Sequence, residues 1–118
     1  MRVQDAVGKY GEALAAGRLA ADGLVVLDTN WRCREGEIDL VARDGDALVV
    51  VEVKTRSGAG YGGAAGAVTP AKQRRLRCLA VRWLADHPGT GWESIRFDVV
   101  TVVRGCGAVD VQHLRGAF

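Results

Sequence analysis

Acidic residues are missing from one long stretch of this sequence. Between Val53 and Ala85 there is none, yet Lys54, Arg56, Lys72, Arg74, Arg75, Arg77 and Arg82 all fall there. Cysteine is scarce as well. Cys33, Cys78 and Cys106 form an odd, widely spaced set without a C-x-x-C, which excludes a disulfide framework. His87 and His113 do not stand at zinc-ligand spacing from any of them. The three cysteines read as reduced thiols that pack as small hydrophobes. No apolar run approaches the ~20 residues that cross a bilayer. Met1 to Lys9 holds Arg2, Asp5 and Lys9, so it lacks the apolar core of a signal peptide, and a cytoplasmic location is expected.

The 118 residues fit one domain spanning the whole chain, 1–118. With 48% hydrophobic and 25% charged residues, a disordered chain is excluded. The net charge of +2 is too small to argue a nucleic-acid partner by itself. Its distribution says more, since a local positive field recruits a phosphate backbone even on a nearly neutral protein.

The chain reads as α-β-β-β-α-β-β, with no internal repeat. Val7, Tyr10, Leu14 and Ala21 recur near helical spacing, predicting a helix from about Val3 to Asp22, although Gly11 and Gly17 each cost about 1 kcal/mol there. Leu24 to Leu27 is a short strand expected to run out at Asp28-Thr29-Asn30, leaving Trp31 to Gly36 as a loop or strand end. Glu37 to Val41 and Leu48 to Lys54 form a hairpin around the turn signal Arg43-Asp44-Gly45-Asp46. Ser57 to Ala67, with five glycines and no charge, reads as a flexible loop. Thr69 caps a second helix with Pro70 at its first position, running to about Asp86. Leu76, Leu79, Ala80, Trp83 and Leu84 share one of its faces, and His87-Pro88-Gly89 stops it. Arg96 to Val103 and Ala108 to Leu114 are the last strands, joined at Gly105-Cys106-Gly107.

The hairpin carries unusual chemistry. A two-residue turn at Asp44-Gly45 places Asp39 opposite Val50, and one at Gly45-Asp46 places it opposite Glu52. In both cases Asp39, Glu52 and Lys54 point to one side, with Glu37, Val41, Leu48 and Val50. Ile38, Leu40, Val49, Val51 and Val53 then form the other, apolar side. A three-residue loop would send Asp39 across. Two facing carboxylates about 5 Å apart at Cβ repel each other unless they share a cation. Their hard oxygens suit Mg²⁺ or Mn²⁺, not zinc. A lysine two residues on could orient an attacking water or offset charge on a phosphate. Phosphodiester hydrolysis needs those parts. The plainer reading is a solvated strand face, but a Glu and a Lys in a strand as apolar as Leu48 to Val53 are costly without a role.

Gly36-Glu37-Ile38-Asp39-Leu40-Val41-Ala42 and Val50-Val51-Glu52-Val53-Lys54-Thr55-Arg56 closely resemble the YraN-type uncharacterised protein family. Gly8 to Glu12, Val68 to Leu76 and Arg96 to Val100 extend the likeness over nearly the whole chain. That family is assigned to the PD-(D/E)XK nuclease superfamily and is similar to archaeal Holliday junction resolvases. The resemblance implies a restriction-endonuclease-like α/β fold, a mixed central sheet flanked by helices. It implies catalytic roles for Asp39, Glu52 and Lys54, and metal binding by Asp39 and Glu52 with help from Glu12. Position 38 is Ile where the motif has Pro. It also implies a Mg²⁺-dependent endonuclease acting on DNA, branched DNA included, and a homodimer.

Other residues carry two readings each. Glu12 is a metal-assisting acid or a solvent-facing helix glutamate. Lys72, Gln73, Arg74, Arg75 and Arg77, with Arg56, contact phosphate at the start of the second helix or form a solvated polar face. Tyr61 stacks on an unpaired base or is an ordinary loop residue. Asp98 is expected to pair with a neighbouring arginine, and Trp31, Trp83 and Trp92 to pack. The alternatives to a nuclease are a non-catalytic nucleic-acid-binding module on the same fold, and an interaction protein with no nucleic acid.

Overall fold

The computed structural model describes residues 3–57, 68–89, 91–105 and 107–118. Tyr61, most of the glycine-rich loop and Cys106 lie outside them. Helix α1 (Val3–Ala21) leads into β1 (Val25–Cys33), β2 (Gly36–Asp44) and β3 (Ala47–Ser57). Helix α2 (Pro70–Asp86), β4 (Ser94–Gly105) and β5 (Ala108–Leu114) follow. The strands lie in the order β1-β2-β3-β4-β5, with β3 and β4 parallel and the other neighbours antiparallel. This is the α-β-β-β-α-β-β mixed sheet with flanking helices that the sequence and its resemblance gave reason to expect.

Central strand β3 is dry on both faces, as a strand beneath two helices must be. On one face Leu48 and Val50 join Ile38, Val41 and Val99 under Leu76, Leu79, Ala80 and Trp83 of α2. On the other, Val49 and Val51 join Leu40, Ala42, Val100 and Val102 under Ala15 and Leu19 of α1. Two expectations are corrected here. Val41, Leu48 and Val50 are fully buried beneath α2 instead of lining an open polar side. Ile38 packs with them and not with Leu40, so the alternation of β2 is broken at Asp39.

Strand β1 is longer than expected, because a bulge reconciles its polar sequence with pairing. Val26 faces Ala42 and Asp28 faces Val41, so Leu27 is the extra residue and is left 40% exposed. Beyond it Asp28 accepts a hydrogen bond from Trp83 Nε1 at 3.1 Å, and Trp31 and Cys33 pack against the α2-side core.

The lower end of α1 is tied to the sheet by a polar network. His113 bridges Asp22 (2.8 Å) and the buried Asp98 (2.7 Å), while Arg96 pairs with Asp98 (2.8 Å) and Asp44 (2.7 Å). Arg18 also donates to the Val111 carbonyl. The expected Asp98–arginine pairing is therefore present. Burial opposes ionisation of Asp98, but hydrogen bonds from Arg96, the Gly116 N–H and His113 outweigh it and hold the carboxyl below its usual range.

Candidate metal and phosphate site

The hairpin turn is Gly45-Asp46, the second of the two-residue options. Asp44 pairs with Ala47, and Gly45 takes a left-handed φ of 59°. Counting up from it, the β2–β3 ladder runs as far as Leu40 opposite Val51. There the strands part. The next β3 amide in line for β2, that of Val53, donates instead to Asp39 Oδ2 at 2.8 Å. The Asp39 carboxylate thus stands in for a backbone acceptor and is fixed at the fork.

Three other elements reach this fork. Glu52, only 5% exposed, comes from β3. Glu12 comes from α1, which approaches closely because Gly11 is buried against Thr55; a Cβ on Gly11 would fall on the Thr55 hydroxyl. Lys72 comes from the first turn of α2, whose start is set by Thr69 accepting from the Lys72 N–H at 3.2 Å and by Pro70. A cleft of about 230 Å³ results, lined by Gly36, Glu37, Asp39, Glu52, Lys72, Arg75, Leu76 and Leu79.

Charge in the cleft is arranged unequally. Carboxylate oxygens of Glu12, Glu37 and Asp39 lie within 4.8 Å of one another. A Mg²⁺ ion holds neighbouring ligands about 3 Å and opposite ones about 4.2 Å apart, so these acids must draw together to share one octahedral ion. Glu52 instead carries two lysines on one oxygen, Lys72 at 2.8 Å and Lys54 at 3.7 Å. Burial, and then the charges of Glu52, Glu12 and Glu37, push the Asp39 carboxyl up to about 7 despite its hydrogen bond from Val53. A divalent cation relieves such crowding. Burial lowers the Lys54 ammonium, with Glu52 opposing and Lys72 and Arg56 reinforcing. Burial also pulls on Lys72, but Glu52 and Asp39 outweigh it and raise that group.

The structure thus brings together Asp39, Glu52, Lys54 and Glu12, which the sequence singled out, and adds Glu37, two residues before Asp39. The basic residues divide. Lys72 faces Glu52, and Arg75 lines the cleft. Arg74 is exposed, and Arg56 is half-buried on β3. Gln73 Nε2 donates to the Val68 carbonyl at 3.1 Å, securing the start of the helix. Arg77 lies over the rings of Phe97 and Phe118 at 5.5 and 5.4 Å. One residue without any sequence signal is Thr101. It pairs with Lys54 across the parallel ladder, is 8% exposed, and its hydroxyl has no hydrogen-bond partner among the described residues.

Comparison with known proteins places these residues in a family. The chain is 59% identical over 119 residues to a UPF0102 protein of Frankia alni, covering 100% of this chain and 98% of that one. It is 56% identical over 117 residues to one of Kineococcus radiotolerans, covering 98% and 96%. It is 54% identical over 114 residues to one of Rhodococcus jostii, covering 96% of both. Residues 11–102, which include every residue of the cleft, match the uncharacterised protein family UPF0102, and the chain belongs to that family.

Proposed function

We propose that this protein is a Mg²⁺-dependent endonuclease that hydrolyses phosphodiester bonds in DNA, with branched DNA a candidate substrate. One observation carries the reading: Glu37, Asp39 and Glu52 line one cleft at the β2–β3 fork, Glu12 of α1 lies within reach of two of them, and lysines from β3 and α2 stand beside Glu52. Glu12, Asp39 and Glu52 would hold the cation, with Glu37 close enough to assist. When bound, a divalent cation supplies an activated water and charge for the phosphate oxygens. Asp39 is positioned for this by the Val53 amide, which fixes its carboxylate at the fork. Lys54 orients the water or meets charge on the scissile phosphate from the end of β3. The first turn of α2 carries no acid, so the positive end of the helix dipole, with Arg74 and Arg75, favours a phosphate backbone.

A second reading has a specific observation behind it. The paired lysines on Glu52 also suit a nucleic-acid-binding module in which those charges are structural. A cleavage assay separates the two. Linear, single-stranded and four-way-junction DNA are offered with Mg²⁺ or Mn²⁺ to the wild type, Asp39→Ala and Lys54→Ala. The nuclease predicts cutting that both substitutions abolish. Salt-sensitive binding without cutting, unaffected by Asp39→Ala, identifies the module and refutes the nuclease.

A further inference from the structure

Among the described residues, Glu52 is the acid of the cleft in close contact with an ammonium, whereas Glu37 meets the Arg32 guanidinium at 3.2 Å. Lys72 Nζ sits 2.8 Å from Oε1, nearer than Lys54 Nζ at 3.7 Å. The trio close enough to share one ion, Glu12, Glu37 and Asp39, does not include Glu52. An ammonium and a divalent cation repel each other strongly when both crowd one buried carboxylate. Glu52 therefore cannot join the ion while Lys72 stays where it is. Lys72 is free to leave: its side chain is 37% exposed, on a flexible four-carbon stem. The backbone beneath it is not. Thr69 caps that turn, and Gln73 binds the Val68 carbonyl.

We propose that Lys72 is a built-in counter-ion which a divalent cation must displace from Glu52, and which then joins Arg75 as a contact for substrate phosphate. The proposal rests on the nuclease reading and adds a coupling to it. Occupation of the acids frees a positive charge at the mouth of the cleft, so cation and phosphate backbone favour each other. By linkage, whatever stabilises Lys72 on Glu52 weakens cation binding by the same factor.

Removing the ammonium must then tighten cation binding. Mn²⁺ affinity is measured calorimetrically on the full chain, without DNA, for the wild type, Lys72→Met, Lys72→Gln and Arg75→Met, with circular dichroism to confirm folding. Both Lys72 variants should bind Mn²⁺ about fivefold more tightly or better. Arg75→Met, which removes a charge from the same cleft, should stay within about twofold of wild type. In a Glu52→Gln background the gain from Lys72→Met should vanish. Unchanged or weaker binding by the Lys72 variants overturns the proposal, as does a gain that survives Glu52→Gln. If Mn²⁺ binds all variants alike while Asp39-dependent cleavage persists, only the role of Lys72 falls. If no variant binds Mn²⁺, the nuclease reading falls with it.

Discussion

Asp39 shows how one residue can be costly for folding and retained for chemistry. Its carboxyl, pushed up to about 7 from 3.8, holds a proton in the folded state across a range where the unfolded chain has released it. Its contribution to stability therefore falls as pH rises from about 4 to 7, and the full penalty applies above 7. Asp39→Asn should stabilise the metal-free protein at pH 8 by about 1–3 kcal/mol, since one pKa unit is about 1.4 kcal/mol and water screens part of it. The amide oxygen still accepts from Val53. Urea unfolding in EDTA checks this, and a destabilised Asp39→Asn would show that the carboxylate is a structural asset. Sequence reasoning found this residue because strand alternation and turn length constrain each other. It misplaced Ile38 because alternation says nothing about where a ladder ends, and the β2–β3 ladder stops at Leu40, leaving Asp39 and Ile38 beyond it.

At the scale of elements, two glycines in one helix have opposite meanings. Gly11 lets α1 close on Thr55 and so brings Glu12 to the fork, whereas a Cβ at Gly17 meets nothing within 4 Å. Gly17→Ala should therefore stabilise by about 0.5–1 kcal/mol through helix propensity. Gly11→Ala should destabilise by about 1–3 kcal/mol through overpacking, despite the same propensity gain. Thermal melts of the two variants check the pair, and equal shifts would mean that α1 does not bear on β3 at Thr55. In the sequence these glycines looked alike, two interruptions of one pattern. The elements themselves were legible where periodicity was strong, as in α2 with its Thr69-Pro70 start. Strand β1 was cut short because Asp28, Thr29 and Asn30 read as a turn. The bulge at Leu27 and the bond from Trp83, 55 residues away, keep that segment in the sheet.

Across the whole molecule, stability and the site draw on different charge clusters. The Asp98 network joins α1, β2, β4 and β5 through Arg96, Asp44, His113 and Asp22. Because the Asp98 carboxyl is held below its ordinary 3.8, its contribution is present above that value and lost as pH falls through the folded one. Asp98→Asn should cost about 2–4 kcal/mol at pH 7 and flatten the acid limb of the stability curve. Denaturant titrations between pH 2 and 7 test both, and an unchanged acid limb would assign acid unfolding to other carboxylates. Composition gave no hint of this network. Its members are scattered from Asp22 to His113: pairing of β4 with β5 brings His113 to Asp98, while Asp44 on β2 and Asp22 after α1 arrive from elsewhere in the fold.

A strand sealed on both broad sides is approached from its ends. From Leu48 to Val51 the middle of the sheet lies beneath helices above and below, so nothing dissolved in water meets Glu52 broadside. Among the described residues, the strands part beyond Val51, toward the carboxyl end of β3, where open α/β sheets habitually receive their ligands. A narrow or bent ligand, able to offer an edge, suits such an approach to Glu52.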